Sequence, residues 1–417
     1  MPVLDKKTPS AGEWKWLLLA VAMGLLLRFV VIAVFSQTPW SDELAYKSMA
    51  LELAQGRRAM DSMGNHAMYS VGYSMFVLAP IFYWFGENLF AARMANMLLG
   101  GVALVLCYQL AREAGAGRIG RLLAVAAWAT YLPALTYGSS LAKENLMVPL
   151  MLGILWCALR LAKQFSLATA IGCGVLLGLL AISGSSGLAL FGAVVLALLF
   201  TPVAVWQRLA LLAVVMVTAI AVCLPWLMRN QEVIGAPVLN TNGGFNLYLG
   251  NNPAATGWYI SIADTPFRTE WHALRKIGEV HANETLKQEA IAWIKGHPAE
   301  FAKLSLKKIV YFWTPPVHKG EGVPSFAESA ARAIWLLEFL VLTLLAIASL
   351  FFKPLHTRPV LILWSAVVFY TAAHMIFYVN FRYRLPIIPV IGLFAALAVE
   401  AFWQSRSKPL ALKRQKL

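Results

Sequence analysis

Residues 16–43, WLLLAVAMGLLLRFVVIAVFSQTPWSDE, decide the fold class, because a long apolar run ends a few positions before two adjacent carboxylates. A helix that crosses a bilayer needs about 20 consecutive apolar residues. Such runs recur through most of the 417 residues, of which 59% are hydrophobic and 13% are charged. Soluble domains are about half apolar and about a quarter charged. The sequence therefore predicts an all-α polytopic membrane protein. Its first run is expected to stay as an anchor, since no small-residue cleavage site follows it.

The apolar runs predict about ten spanning helices, at residues 16–36, 91–112, 122–138, 143–163, 167–183, 188–205, 208–226, 331–352, 359–377 and 386–404. Lysines and arginines cluster in alternate short loops, for example in AREAGAGRIGR (111–121) and in the basic tail 406–417. These loops then share one side, which the positive-inside rule assigns to the cytoplasm together with both termini. The net charge of +15 is explained by this orientation, and we expect no nucleic-acid partner.

One more apolar stretch, YSVGYSMFVLAPIFYWFG (69–86), does not fit this alternation. If it crossed the membrane, every later loop would change sides, so we expect it to lie at the outer surface or to re-enter. The chain then divides into a membrane module (1–226) with a first outer loop (37–90), a small outer segment of mixed structure (227–330), and C-terminal spans with a basic tail (331–417). About a hundred residues cannot form a deep core alone, so the outer segment should pack on the membrane part.

The first candidate site residues are the adjacent acids Asp42 and Glu43. If SDELAYKSMALELAQG (41–56) is a helix, Asp42 and Tyr46 share one face and Glu43 is turned aside. These carboxylates would then lie at the outer membrane surface, where they can act on a substrate. The alternative is structural, because Ser41 or Asp42 can cap the helix and an acid in its first turn interacts favourably with the helix dipole.

A second acid, Glu144, begins a predicted span on the same outer face and follows Lys143. An acid at the end of a membrane span is costly without a partner. Glu144 can therefore be a second carboxylate that converges on Asp42, where it positions an acceptor hydroxyl or helps to hold a divalent cation. The alternative is an ordinary Lys–Glu surface pair, which contributes little.

Arginines also lie on this face, where the positive-inside rule does not favour them. Arg382 and Arg384 flank Tyr383 before the last span, and Arg93 begins the second one. Guanidinium groups recognise phosphate through paired hydrogen bonds. A phosphate at the outer surface most simply belongs to a lipid, either a specific substrate or an ordinary anionic headgroup.

Carboxylates and arginines on one outer face favour a transfer reaction. The arginines would hold a lipid-phosphate sugar, and a carboxylate would act as general base on an acceptor hydroxyl. The competing class is a transporter or flippase of lipid-linked sugars. Such proteins usually show internal repeats or helices broken near mid-membrane, and the sequence offers only ISGSSG (182–187) as a candidate break.

The order of six motifs resembles the GT-C superfamily of membrane glycosyltransferases, and more narrowly its bacterial branch related to protein O-mannosyltransferases and lipid A aminoarabinose transferases. The motifs cover nearly the whole chain and are SDELAY (41–46), FGENLFAARMANMLLG (85–100), YGSSLAKENLM (137–147), LPWLMRN (224–230), GGFNLYLGNN (243–252) and RYRLPIIP (382–389). The resemblance implies a polyprenyl-phosphate sugar donor, undecaprenyl phosphate in a bacterium. It also implies transfer at the periplasmic face of the inner membrane to a hydroxyl of a glycan, glycolipid or protein.

The resemblance also implies roles for individual residues. Asp42 matches the position of the catalytic base and Glu144 that of a second outer-loop acid. Arg93, Arg382 and Arg384 match basic residues expected at the donor phosphate. The remaining candidates are Glu43 as a further catalytic acid and, for substrate binding, Tyr46, His66, Lys143, Asn246, Tyr248 and Tyr383. The family often follows a basic residue near His66 with two prolines, which NHAMYSVGY (65–73) lacks. Metal use varies across the superfamily, so a divalent cation is possible.

Overall fold

The computed structural model describes residues 11–35, 37–315 and 324–414. Several positions used in the sequence analysis lie outside these ranges. They are Lys6 and Lys7 before the first span, Lys416 in the basic tail, and residues 316–323 of the outer segment. The helices are α1 Ala11–Val34, α2 Asp42–Ala54, α3 Ala79–Phe85, α4 Leu89–Glu113, α5 Arg118–Thr130, α6 Leu132–Gly138, α7 Glu144–Leu161, α8 Leu167–Ser183, α9 Phe191–Phe200, α10 Val205–Ile234, α11 Gly243–Gly250, α12 Trp271–Ile277, α13 Glu279–Gly296, α14 Pro298–Trp313, α15 Phe326–Ser349, α16 Arg358–Ile376 and α17 Ile388–Arg414. The described ranges contain no β-strand, which confirms the all-α class.

Within the described ranges, seven helices are long and apolar enough to cross a membrane. An eighth span is possible if α5 and α6, which are bent by 52° at a short break, count as one. The other two predicted spans correspond to shorter apolar helices, Leu167–Ser183 and Ser185–Phe200. At 1.5 Å per residue, a helix of 17 residues is shorter than the ~30 Å hydrocarbon core. Each predicted span therefore has a helical counterpart, but a count of ten is not established.

The loops lie at the two ends of the helix bundle. At one end, Arg121 pairs with Glu13 at 3.0 Å, and the carboxylate of Glu400 accepts hydrogen bonds from the backbone N–H groups of Gly117 and Gly120 at 2.7 and 3.0 Å. This end collects basic loops that the alternation placed on one side. The first outer loop and the start of α7 lie at the opposite end, where the candidate acids are found.

Two helices form the centre of the bundle. In α7 and in the C-terminal helix from 381 to 406, 83% of the most apolar window is buried inside the protein. The corresponding share is only 11% in α15, which leaves most of that helix facing outward. The central position of α7 explains why Glu144, its first residue, is 3% exposed although it lies at the end of a span.

The stretch 69–86 starts and ends at the same end of the bundle. It forms a π-helical turn, Ser74–Leu78, that continues into α3. The hydroxyl of Ser74 donates to the carbonyl of Tyr46 in α2 at 2.9 Å. Just after α3, Glu87 pairs with Lys47 of α2 at 2.6 Å. The exposed Trp84 (76%) lies on a short helix beside the first outer loop.

The outer segment, for which we expected mixed structure, is helical in its described part, with one isolated bridge between Trp258 and Val379. Helices α11 and α13 pack so closely that a Cβ atom on Gly244 would lie 1.9 Å from the carbonyl oxygen of Asn283. Only glycine fits at this position. Gly244 of the GGFNLYLGNN motif therefore allows α11 and α13 to pack closely.

Candidate active site

Asp42, Arg382 and Glu144 form an ionic cluster at the end of the bundle opposite the basic loops. Nη2 of Arg382 donates to Oδ2 of Asp42 at 2.6 Å, and Nε of Arg382 lies 3.2 Å from Oε1 of Glu144. The side chains of Asp42 and Arg382 are 27% and 23% exposed, whereas that of Glu144 is 3% exposed. One guanidinium thus joins two carboxylates from distant parts of the chain, which we define as the Asp42–Arg382–Glu144 cluster.

The backbone that presents Asp42 has an unusual conformation. Helix α2 begins at Asp42, and the preceding Ser41 has φ of 51° without a capping hydrogen bond from its side chain. A non-glycine residue in this region is strained by about 1–3 kcal/mol. Ser41 therefore does not cap α2, and the tight turn before the helix directs Asp42 toward Arg382.

Glu43 is turned away from this cluster, as the helical spacing predicts. Its carboxylate accepts a hydrogen bond from the backbone N–H of Leu141 at 3.2 Å. Burial raises the pKa of Glu43, while this hydrogen bond partly opposes the effect. Glu43 joins the first outer loop to the loop before α7, and its role as a catalytic acid remains a prediction.

Tyr46 lies beneath the cluster on the same face as Asp42. It is 2% exposed and packs edge-on against Tyr69 and Tyr73, each at 5.8 Å between ring centroids. Burial raises the pKa of Tyr46, so its hydroxyl stays protonated. The sequence analysis missed Tyr69, which packs against Tyr46 and whose pKa is raised by burial and by the charge of Asp42. Its only sequence signal is its place at the start of the stretch 69–86.

A cavity of about 260 Å³ adjoins the cluster at Glu144. Of the predicted residues, Lys143, Glu144, Asn246 and Tyr383 line it. The other lining residues, which the sequence analysis did not identify, are Ser70, Met147, Ser185, Ser186, Ala189, Asn240, Asn242, Gly243, Tyr370, Ala373, His374, Phe377, Tyr378 and Pro386. Helices α7, α11 and α16 thus enclose one polar and aromatic chamber, which we call the Glu144 cavity.

Two tyrosine hydroxyls form part of the wall of this cavity. The hydroxyl of Tyr383 donates to that of Tyr378 at 2.8 Å, and the hydroxyl of Tyr378 donates to Oδ1 of Asn246 at 3.4 Å. Burial raises the pKa of Tyr378, which keeps the hydroxyl protonated. Such neutral groups can hydrogen-bond the hydroxyls of a sugar.

Arg384 does not face the cavity. Its Nη1 donates to the carbonyl oxygens of Phe312 and Thr314 at 3.0 and 2.7 Å, and the guanidinium stacks 3.9 Å from the ring centroid of Phe339. Residues 381–387 form a 3₁₀-helix with three residues per turn, so side chains two positions apart point in different directions. Arg384 therefore anchors the end of α14, and its predicted contact with phosphate lacks geometric support.

Arg93 is also occupied by the protein backbone. It is 6% exposed, donates through Nε to the carbonyl of Ser139 at 2.8 Å, and donates through Nη2 to the carbonyl of Gln37. These contacts join the start of α4 to two outer loops. Arg93 does not line the Glu144 cavity, so the structure gives it a linking position and no direct path to a donor phosphate there.

His66 and Tyr248 lie apart from the Glu144 cavity as well. Nδ1 of His66 lies 3.0 Å from the carbonyl oxygen of Ala59, and the backbone N–H of His66 donates to Glu279 at 2.8 Å. Tyr248 is 3% exposed and packs edge-on against Phe267 in the small core of the outer segment. Neither side chain can reach a substrate in this cavity without a rearrangement.

The outer segment positions the loop that leads to Arg382. A Cβ atom on Gly250 would lie 2.6 Å from the carbonyl carbon of Phe377, so the two backbones meet directly. Nδ2 of Asn251 donates to the carbonyl of Ile376 at 2.7 Å, and its Oδ1 accepts from the fully buried Lys308 at 3.0 Å. Burial lowers the pKa of Lys308 to about 7. Side chains of the outer segment thus hold α16 at the point where the Arg382 loop begins.

The cluster does not fit a divalent cation. A metal site would need the carboxylates of Asp42 and Glu144 to point at one ion, but Arg382 lies between them and pairs with both. In the described part of the chain, no three His, Cys, Asp or Glu side chains are grouped as metal ligands. We therefore derive no chemical step through a metal.

Comparison with known proteins agrees with this architecture. Residues 73–228 match the dolichyl-phosphate-mannose-protein mannosyltransferase family. The crystal structure of ArnT from Cupriavidus metallidurans in the apo state is similar, with a TM-score of 0.57 and 17% identity over 93% of this chain and 60% of ArnT. The archaeal oligosaccharyltransferase AglB from Archaeoglobus fulgidus, in complex with an inhibitory peptide and a dolichol-phosphate, also has a TM-score of 0.57, with 12% identity.

That match covers 97% of this chain and 52% of the AglB chain. The chain thus spans between about half and three fifths of the length of these two structures. No curated protein sequence matches it. Identities this low establish a shared fold, and the family match adds the sequence pattern of residues 73–228. Together they support the resemblance: the chain is a multi-pass membrane protein with the same fold as these glycosyltransferases.

Proposed function

We propose that the chain is an inverting glycosyltransferase that moves a monosaccharide from a polyprenyl-phosphate donor to an acceptor hydroxyl. In a bacterium the donor lipid would be undecaprenyl phosphate. The acceptor would be a periplasmic glycan, glycolipid or protein. The observation that carries the proposal is the Asp42–Arg382–Glu144 cluster beside a sugar-sized cavity that is lined by polar and aromatic side chains. The complex of AglB with a dolichol-phosphate and a peptide supports the choice of a lipid phosphate and an external acceptor.

In the proposed reaction, Asp42 is the general base, because its carboxylate is partly exposed and fixed by Arg382. It takes the proton of the acceptor hydroxyl as that oxygen attacks the anomeric carbon of the sugar. The bond between this carbon and the phosphate oxygen breaks, and the electron pair leaves with the lipid phosphate. One displacement inverts the anomeric centre. Arg382 supplies a fixed positive charge close to the reacting groups.

The orientation follows the same proposal. The cluster and the Glu144 cavity lie opposite the end that collects the basic loops of residues 113–121 and 161–167. The positive-inside rule assigns these loops to the cytoplasm. The site would then open to the periplasm from the inner membrane, with both termini cytoplasmic.

The test uses purified protein in liposomes with labelled undecaprenyl-phosphate sugars and measures release of undecaprenyl phosphate. Asp42→Asn should reduce transfer by at least ~100-fold, since it removes the base, while the protein stays folded. Glu52→Gln on the same helix is the matched control, and it should retain wild-type transfer. Full activity of Asp42→Asn would refute the base assignment. Movement of intact lipid-linked sugar across the bilayer would instead establish the flippase function.

A further inference from the structure

Lys143 differs from the three arginines that the sequence placed at a donor phosphate. Arg382 is paired with two carboxylates, whereas Arg93 and Arg384 donate to backbone carbonyls. Lys143 lines the Glu144 cavity, and within the described ranges its ammonium makes no hydrogen bond or ion pair with another residue. The site thus contains a cation that lines the cavity and has no hydrogen-bonded partner among the described residues.

The charges around the cavity show why this cation is needed. Asp42 and Glu144 carry two negative charges and Arg382 carries one positive charge, so the cluster alone has a net charge of about −1 when all three are ionised. An anionic substrate would be repelled by such a cluster. Lys143, next to Glu144, brings the sum to zero and offers three N–H donors.

The physical state of Lys143 without a ligand points the same way. Burial lowers the pKa of Lys143, and the charge of Glu144 only partly offsets this effect. Removing a cation from water without a hydrogen-bonded counter-ion is unfavourable. The binding of anionic oxygens in the cavity would remove this cost, so a ligand with anionic oxygens suits the cavity that Lys143 lines.

We propose that Lys143 is the residue that binds an anionic group of the donor inside the Glu144 cavity. This inference rests on the proposed function and names the substrate chemistry of that site. The anionic oxygens belong to the phosphate that joins lipid and sugar, or to a carboxylate on an acidic sugar. The other lining groups suit the rest of the ligand, because the tyrosine hydroxyls and the amide of Asn246 are neutral hydrogen-bonding groups. The volume of about 260 Å³ lies near the lower end for ligand pockets, so the cavity suits one sugar.

The experiment measures binding of undecaprenyl phosphate, which has the phosphate and no sugar, to wild type, Lys143→Gln and Lys143→Arg in nanodiscs. If the phosphate is the anion, Lys143→Gln should weaken binding by ~10- to 100-fold, the range of a charge-assisted hydrogen bond. Lys143→Arg keeps the charge and should lose no more than ~10-fold. Lys47→Gln, which removes a lysine of the same outer face that is paired with Glu87, should bind as wild type does.

A second experiment tests whether the anionic oxygens instead belong to a carboxylate on the sugar. Transfer is measured with undecaprenyl-phosphate galacturonate and with the matching neutral galactose donor. If the anion is the sugar carboxylate, Lys143→Gln should leave undecaprenyl phosphate binding unchanged and lower kcat/KM only for the galacturonate donor. The inference fails and the proposed function stands if wild type transfers sugar while Lys143→Gln changes neither undecaprenyl phosphate binding nor kcat/KM for either donor. If wild type neither binds nor transfers, both are overturned.

Folding of the variants is checked independently. The four cysteines, Cys107, Cys157, Cys173 and Cys223, are free and buried, so a thiol-reactive fluorescent dye reports their exposure on unfolding. Because Lys143 has no partner in the described part of the protein, Lys143→Gln should not lower the apparent Tm. The inference is refuted if Lys143→Gln has a lower Tm than wild type and Lys143→Arg binds undecaprenyl phosphate no more tightly than Lys143→Gln does. Lys143 would then have a structural role.

Discussion

The substitution Arg382→Met tests the central feature of the site, because it removes the cation shared by Asp42 and Glu144. Loss of one partner from a buried ion pair costs about 3–5 kcal/mol, since the other charge stays buried without compensation. Water can reach Asp42, whose side chain is 27% exposed, but hardly reaches Glu144 at 3%. We therefore expect the low end of this range, about 3 kcal/mol.

This loss of unfolding free energy can be converted into an expected decrease in melting temperature. The unfolding entropy of globular proteins is about 2.1 cal/mol/K per residue, so about 3 kcal/mol in a chain of 417 residues lowers Tm by about 3 °C. The thiol-reactive dye assay on the four buried cysteines measures this change in detergent. Arg57→Met is the control, because Arg57 pairs with Glu52 at an exposed site and should leave Tm unchanged.

The decisive comparison is the double variant Arg382→Met/Glu144→Gln. It removes the buried negative charge together with its partner, so Tm should return to within about 1 °C of wild type. Both variants should be inactive in transfer, because Asp42 loses the group that fixes it. The reasoning is refuted if Arg382→Met melts with wild type, or if the double variant loses the sum of the two single effects.

Two further predictions concern the residues around the cluster. The pKa of Lys308 is about 7 in the folded protein, and that of an unfolded lysine is about 10.4. Between these two pH values the unfolded state binds more protons than the folded state. The free energy of unfolding should therefore rise as the pH increases from 7 to 10. Over this pH interval the Tm of wild type, followed by tryptophan fluorescence, should therefore rise relative to the Tm of Lys308→Met. A Tm difference that does not change with pH would contradict the buried position of Lys308. Arg384→Lys should lower Tm by several degrees, because a lysine cannot donate to both carbonyls and stack on Phe339. It should leave the Kd for undecaprenyl phosphate unchanged in a binding titration, and a large loss of affinity would restore its predicted phosphate role.

The sequence alone determined the membrane class and predicted that the candidate acids and arginines lie at one end of the bundle. The length of an apolar run fixes whether a helix can cross a bilayer, and loop charges fix which loops share a side. Both quantities are local, so they can be counted along the chain. The motif order added the GT-C resemblance, which the family match over residues 73–228 and the shared fold support. Local helical geometry also separated Asp42 from Glu43, because neighbours on a helix are rotated by about 100°.

Only the tertiary structure decided which charged groups meet. Arg382 and Asp42 are 340 residues apart, and no local rule links positions at that distance. Arg384 is two residues from Arg382, yet it faces backbone carbonyls because a 3₁₀-turn directs it elsewhere. Tyr378 and His374 gave no sequence signal, since a tyrosine or histidine near an apolar stretch can equally line a cavity or pack in a core. The partners of a side chain depend on how distant helices pack, and that is why Lys143 became informative only when its surroundings were known.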